Sequence, residues 1–329
     1  MNKINRFYIA TCIKMFLAYL TASFFMAAPL VSCAGSSSSS ETVSQQDTAS
    51  VSLQFSGENA MNHVYSQIAM GPRTSKDAKQ TKLRDYLCEK LKAYGFSLQI
   101  QPLTGETGMG AGVNFYNVIA TYPPGSVKPV KIFGAHYDTI PIAPNDPAEA
   151  ARLTPIDGAN DGASGTAVLL ELARTVTGRA KDLKYSVKLV FFDGEDFYTG
   201  VENMFYGSKY YAKSLDAEEK KNIKYFVLID MIGDSDLNVY KELNSVYAYP
   251  GLAAHVFETA AKLNLNGFHS EIKHQITDDH LPMIAAGIPS TLLIDFDYPY
   301  WHRLSDTADK LSADSLAKTG KLLEYLIFE

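Results

Sequence analysis

Cysteine is scarce in this chain: three residues among 329, at positions 12, 33 and 88. Too few are available for a disulfide-stapled scaffold. Basic charge is also in short supply, with 30 Lys and Arg against 36 Asp and Glu. No basic stripe of the kind that nucleic-acid binders carry is present, which excludes a nucleic acid as partner. From about Gly57 onward there is no Ser/Gly-rich break, charge run or internal repeat, so a second domain on a linker is not expected. Tryptophan occurs once, at 301. What remains is ordinary globular composition, 46% hydrophobic and 20% charged, and this excludes a disordered, collagenous or low-complexity chain.

Acidic residues are missing from the first forty positions. Lys3, Arg6 and Lys14 precede and flank the apolar run MFLAYLTASFFMAAPLV, and residues 1–33 read as an export signal. The run is short for a membrane span and is interrupted by Pro29. Its end, Leu30-Val31-Ser32-Cys33, resembles the bacterial lipoprotein signal, in which the cysteine is lipidated and becomes the new N-terminus. Plain secretion with cleavage near Ala27 or Ala28 is the other reading. Both place the protein outside the cytoplasm, in the periplasm, touching a membrane only through a lipid anchor on Cys33. Residues 34–56, small and polar, are expected to form a flexible tether, and 57–329 the folded domain. Loss of residues 1–32 removes three positive charges and no negative ones, leaving 27 Lys and Arg against 36 Asp and Glu, a net charge of −9. Cys88 is then without a disulfide partner, and the core must hold by burial alone.

Two helical stretches are predicted near 59–70 and 76–94. In the second, Leu83, Tyr86, Leu87, Leu91 and Tyr94 repeat on one face, with Cys88 expected in the core, and Gly95 stops the pattern. Short apolar runs then alternate with helical ones: 115–122, 130–136, a helix from Ser164, 186–193, helices near 205–213 and 251–263 around 225–231, then 290–295 and a final helix near 312–327. Continuous apolar strands separated by helices indicate a mostly parallel sheet covered on both faces. The expected fold is α/β, a three-layer α/β/α sandwich of one domain.

Ligands of such sheets sit beyond the carboxyl ends of the strands. His136 and Asp138 follow one apolar run, Glu195 and Asp196 another, Asp230 a third. Trp301 and His302 lie beyond the last, and Asp161 sits in GANDGASG just before a helix. Imidazole and carboxylate ligands without cysteine suit a divalent metal, zinc first. Adjacent Glu195 and Asp196 repel unless a cation or shared proton relieves them; one can ligate while its neighbour handles protons. Plainer roles stand beside these: a helix cap for Asp161, a buried hydrogen-bonded pair for His136 and Asp138, a helix opening for Asp278-Asp279-His280. His63, His255, His269 and His274 fall outside the pattern and read as surface or structural.

Taken in order, GAHYDT, GANDGASGTAVLLELAR, VFFDGED, LIDMIGD and WHRLSD resemble the M28-type zinc peptidase family that contains leucyl-type aminopeptidases and glutaminyl cyclases, over about residues 60–329. The resemblance implies zinc at the strand ends. In the cyclase pattern one zinc per chain takes Asp161, Asp196 and His302, with Asp230 in a hydrogen-bond network. In the aminopeptidase pattern two zincs take His136, Asp161 and Asp230, and Asp161, Asp196 and His302. FFDGE followed by FYGS, DDHLP at 278–282, and a Trp directly before His302 resemble the cyclases. These act on peptides or proteins with N-terminal Gln, making pyroglutamate and ammonia. The resemblance implies Glu195 as proton carrier, Asp230 and Asp278 as partners for the amine, and Trp301 as a wall of the slot. A third possibility is an inactive relative that binds peptide N-termini. Asp196 stands where many members have Glu, and the stretch 197–204 lacks the Trp of animal cyclases, as the chain lacks their disulfide. The family also implies a cis bond at Asp161–Gly162.

Overall fold

The computed structural model describes residues 52–329 apart from 76, 108, 109 and 199. The leader 1–33, with Cys12 and Cys33, and the tether as far as residue 51 lie outside the described residues. Helices α1 (Gly57–Ile68) and α2 (Ala78–Ala93) come first, followed by strands β1 (Ser97–Thr107), β2 (Gly110–Tyr122) and β3 (Val130–His136). The chain continues through α3 (Ala163–Gly178), β4 (Ser186–Phe192), α4 (Tyr206–Ser214), α5 (Ala217–Asn222) and β5 (Ile223–Asp230). It closes with β6 (Val239–Glu242), α6 (Leu243–Ala248), α7 (Pro250–Lys262), β7 (Phe268–His274), α8 (His280–Ala285), β8 (Ser290–Ile294) and α9 (Ala313–Phe328). Ser56, Asp77 and Ser312 cap α1, α2 and α9 by accepting from backbone N–H groups of the first turn, which satisfies donors that the helix leaves open.

Six strands make one mixed sheet in the order β1-β2-β4-β3-β5-β8. β4, β3, β5 and β8 run parallel, and β1 and β2 extend the sheet antiparallel. β3 is buried along its whole length, as an unbroken apolar run requires when both faces are covered. On one face Phe133, Val187 and Val227 pack against Val168 and Leu172 of α3, Val256 of α7 and Leu322 and Leu326 of α9. On the other, Ile132, Phe192 and Phe226 meet Tyr211 of α4 and Met283 of α8. The three-layer sandwich expected from the alternation of runs is the fold observed, and the described residues from 52 to 329 belong to one compact unit. β1 and the small β6–β7 sheet were not anticipated. Cys88 is half-buried against the core.

One close approach positions the site. A Cβ on Gly165 would come within 2.8 Å of the Ile229 carbonyl oxygen and 2.9 Å of the Ala135 Cβ. Glycine lets α3 lie directly on β3 and β5, so the helix starts beside their carboxyl ends.

Candidate active site

Asp161 sits in the loop that enters α3, and several groups fix that loop. Asp306 accepts from the backbone N–H of Asn160 at 2.9 Å and of Asp161 at 3.1 Å, and from the Tyr298 hydroxyl at 2.7 Å. The buried guanidinium of Arg73 donates to the carbonyls of Asp157 and Gly158. The expected cis bond at Asp161–Gly162 is absent: among the described residues the cis peptide is Tyr122–Pro123. Gly162 makes the reversal by rotation instead, at φ 89, a region open to glycine. A capping role for Asp161 is not observed either, because its two oxygens face two imidazoles.

His136 Nε2 lies 3.2 Å from Asp161 Oδ1 and 3.1 Å from Asp230 Oδ1. His302 Nε2 lies 3.4 Å from Asp161 Oδ2 and 3.2 Å from Asp196 Oδ1. The other nitrogen of His136 is 3.7 Å from Glu195 Oε2 and 3.8 Å from Asp138 Oδ1. Asp138 accepts from the backbone N–H groups of Glu195 and Asp196 at 3.3 and 3.2 Å. It thereby sets the turn that carries the adjacent acids. Asp193 underlies that turn, accepting from Tyr116 N–H, Ser75, Gln80 and Tyr137.

Nine acids are buried here, Asp138, Asp161, Asp193, Glu195, Asp196, Asp230, Asp278, Asp279 and Asp306, against Arg73, His136 and His302. Buried anions in that excess call for protons or a cation. Burial and then Asp196 hold the Glu195 carboxyl well above its usual range. Burial, Asp230 and Asp279 do the same to Asp278, and burial raises Asp230 against the pull of His136. Asp279 is pushed up to about 7, chiefly by burial. Burial opposes charge on the imidazoles, but the carboxylates win: His302 rises to about 9 through Asp196 and Asp161, and His136 rises well above its usual value through Asp230 and Glu195.

Asp161 Oδ2 and both oxygens of Asp196 are buried without a hydrogen-bond partner, and Asp161 Oδ2 and Asp196 Oδ1 both lie beside His302 Nε2. Two carboxylates and an imidazole are zinc donors. Ligand atoms of His136, Asp161 and Asp196 lie within 4.8 Å of one another, and His302 approaches the same two carboxylates. The residues present fit a zinc site.

A cavity of about 200 Å³ opens above this cluster. Asp161, Glu195, Asp196, Asp230, Asp278, Trp301 and His302 line it, so the residues that the strand ends and the family resemblance single out as catalytic, as ligands of the one-zinc pattern or as pocket wall border one cavity. His136 and Asp138, expected as supports of the ligands or as alternative ligands of a second metal, do not line it. From the stretch 197–204 that lacks the animal-type Trp, Met204 lines the cavity; Phe296, 5.0 Å from the Trp301 ring, lines it too, with Phe205, Ile276 and Ile294. Met204, Ile276 and Phe296 lie in loops and carried no sequence signal, and the support roles of Arg73, Asp193 and Asp306 were also missed. Asp193 and Asp306 sit inside the quoted motifs, which could have pointed to them. Phe205, Met231 and His302, three of the four non-glycine residues with positive φ among those described, all line the cavity. Strained backbone of this kind concentrates at functional sites. The remaining histidines stand apart as expected: His63 bonds Tyr86, His255 Glu329, His269 Asn238 and His274 Asp297.

A model of peptidase family M28 matches residues 117–327. The chain is 25% identical to the glutaminyl-peptide cyclotransferase-like protein of Mus musculus over 286 residues, 80% of this chain and 72% of that protein. Bacteroides thetaiotaomicron glutaminyl cyclase bound to N-acetylhistamine superposes with a TM-score of 0.78 at 31% identity, over 84% of this chain and 98% of that one. A Zn-dependent exopeptidase from Parabacteroides distasonis gives 0.79 at 28% identity, over 84% and 99%.

Proposed function

The chain belongs to peptidase family M28, and within that family we propose that it is a glutaminyl cyclase, converting N-terminal glutamine of peptides and proteins to pyroglutamate with release of ammonia. The observation that carries this reading is the cavity. Its roughly 200 Å³ suits one side chain and its own amine, walled by Trp301 and Phe296, with three acids of raised pKa at one side. The substrate's α-amine nitrogen attacks its own γ-carboxamide carbon; that C–N bond forms, the bond to the amide nitrogen breaks, and ammonia leaves. Because attack is intramolecular, holding the chain in a bent conformation removes much of the barrier. Glu195 takes a proton from the amine and delivers it to the departing nitrogen, for which a carboxyl held above its ordinary range is suited. Asp230 and Asp278 orient the amine, and Trp301 covers the glutaminyl stem. A zinc ion held by Asp161, Asp196 and His302 would polarise the carboxamide oxygen. In this proposal there is one ion per chain, because these three residues line the cavity while His136 does not.

The proximity of His136 to Asp161 and Asp196 favours a second reading, a two-zinc aminopeptidase. Ammonia release from a Gln-initiated dipeptide, measured against amino-acid release from a Leu-initiated one, separates the two. Ammonia alone is expected; leucine release without ammonia overturns the cyclase reading. The leader further supports an exported enzyme, periplasmic and anchored through lipid on Cys33. Labelled fatty acid should enter the wild-type chain and not Cys33→Ala, and a wild-type chain without label would leave plain secretion.

A further inference from the structure

Beside the acidic cavity lies an open groove of about 550 Å³ that shares Phe205 and Thr277 with it. Thr277 is exposed and forms the ridge between the two. The groove floor is apolar, from Ala212 of α4 and Leu281, Pro282 and Ala286 around α8. Its rim carries Lys209, Lys213 and Lys220, and none of its ten lining residues is acidic. Lys209 donates to the Met204 carbonyl at 2.8 Å, which fixes one ammonium at the near end. Of the acids nearby, Asp216 and Glu219 bond each other's backbone N–H groups at the start of α5, and Asp279 and Glu202 act on the Lys209 ammonium. The molecule thus sets a strongly anionic cavity and a cationic groove side by side, joined at one ridge.

We propose that this groove holds the substrate chain beyond its second residue and selects segments with acidic side chains. The inference rests on the cyclase reading and adds the substrate class to it. A polypeptide whose N-terminal glutamine fills the cavity must leave over an edge, and Thr277 and Phe205 form an edge that leads into a second depression. A cationic N-terminus is drawn to the carboxylates of the cavity and acidic residues at positions three to six to the lysines. The two fields orient the chain before it docks. Apolar contact on the floor supplies affinity without regard to sequence.

The test compares kcat/KM for a Gln-Ala dipeptide, which ends before the groove, with Gln-Ala hexapeptides carrying Glu or Lys at positions three to six. The acidic hexapeptide should exceed the lysine one by about 5- to 30-fold at low ionic strength, with the gap closing at 0.5 M salt as screening grows. In Lys213→Glu/Lys220→Glu the ratio of acidic to basic hexapeptide, each referred to the dipeptide of the same variant, should fall to unity or invert. Equal turnover of both hexapeptides by the wild type overturns the proposal. Calorimetric binding of the corresponding pyroglutamyl hexapeptides reads the groove without turnover. Acid-selective binding lost in the double variant, with no ammonia from any peptide, would keep the groove and sink the cyclase reading. Non-selective binding with normal ammonia release would do the reverse.

Discussion

Asp161 gives one oxygen to each of two imidazoles, and the two should respond differently to removal. Asp161→Ala or His302→Ala is expected to lose zinc, whereas His136→Ala should retain one ion per chain. Equilibrium dialysis with metal counting checks this, and two ions in the wild type would overturn the one-ion proposal. Glu195→Gln should keep zinc and fold while kcat falls ~10²–10⁴-fold; a loss of only a few-fold would remove Glu195 from the proton-transfer role. Most of the acids and imidazoles at this scale could be read from sequence because strand ends advertise them: His136, Glu195, Asp196 and Asp230 each follow an apolar run, whereas Asp161 and Asp278 stand before helices and were singled out by their motifs. Their supports could not. Asp138 reads in GAHYDT as a partner of His136 or an alternative ligand, but that it gives both oxygens to the amides of Glu195 and Asp196 does not show there. Arg73, in an unremarkable loop, reaches the carbonyls before Asp161 only because the chain folds back.

At the scale of elements, the β3-α3 connection depends on Gly162. Its positive φ, and the 2.6 Å approach of a Cβ to the Asp138 carbonyl oxygen, mean that Gly162→Ala should cost about 1–3 kcal/mol, read from urea unfolding, and lower zinc affinity with it. Glu242, at the end of β6, accepts from the N–H groups of Asn244, Ser245 and Ile276 and faces His280 at 3.2 Å. It therefore ties α6 to the segment that carries Asp278. Burial works against its charge, but His280 and these amides prevail and hold it at about 2. A depressed folded value contributes stability above the unfolded value, lost as pH falls through about 2. Glu242→Gln should cost about 1–2 kcal/mol at pH 7, allowing for partial solvent screening, and the difference from wild type should shrink toward pH 2. A deficit unchanged by pH would exclude this account. The main strands and helices were legible because burial on both faces leaves uninterrupted apolar runs. β1 and β7 were not: β7 is exposed or half-buried throughout, and β1 has one open edge, so neither writes such a run.

Over the whole molecule, the buried acids outnumber their basic neighbours, and this ties stability to pH and to metal. Asp279 and Asp306, raised to about 7 chiefly by burial, keep protons in the fold that an unfolded carboxylate of 3.8 has lost. Folding then takes up protons, so stability of the chelated protein should fall as pH rises from about 4 to 7. His63, lowered by burial to about 4, acts in the opposite sense, one group against several. Calorimetric scans of chelated protein should show Tm declining across this window. Added zinc should restore Tm, increasingly so at higher pH, where the ion replaces absent protons. A Tm that climbs with pH in chelator would contradict the charge balance.

The left-handed residues on the rim bear on what selection for thermal stability would do. Asn264, the fourth such residue, and His302 are of types that tolerate the conformation; Phe205 and Met231 are not. Replacement scans ranked by melting temperature would therefore be drawn to the mouth of the cavity, where relief of strain is available. Hardening by that route would erode the pocket first, and a durable variant is better sought on the helical faces remote from it.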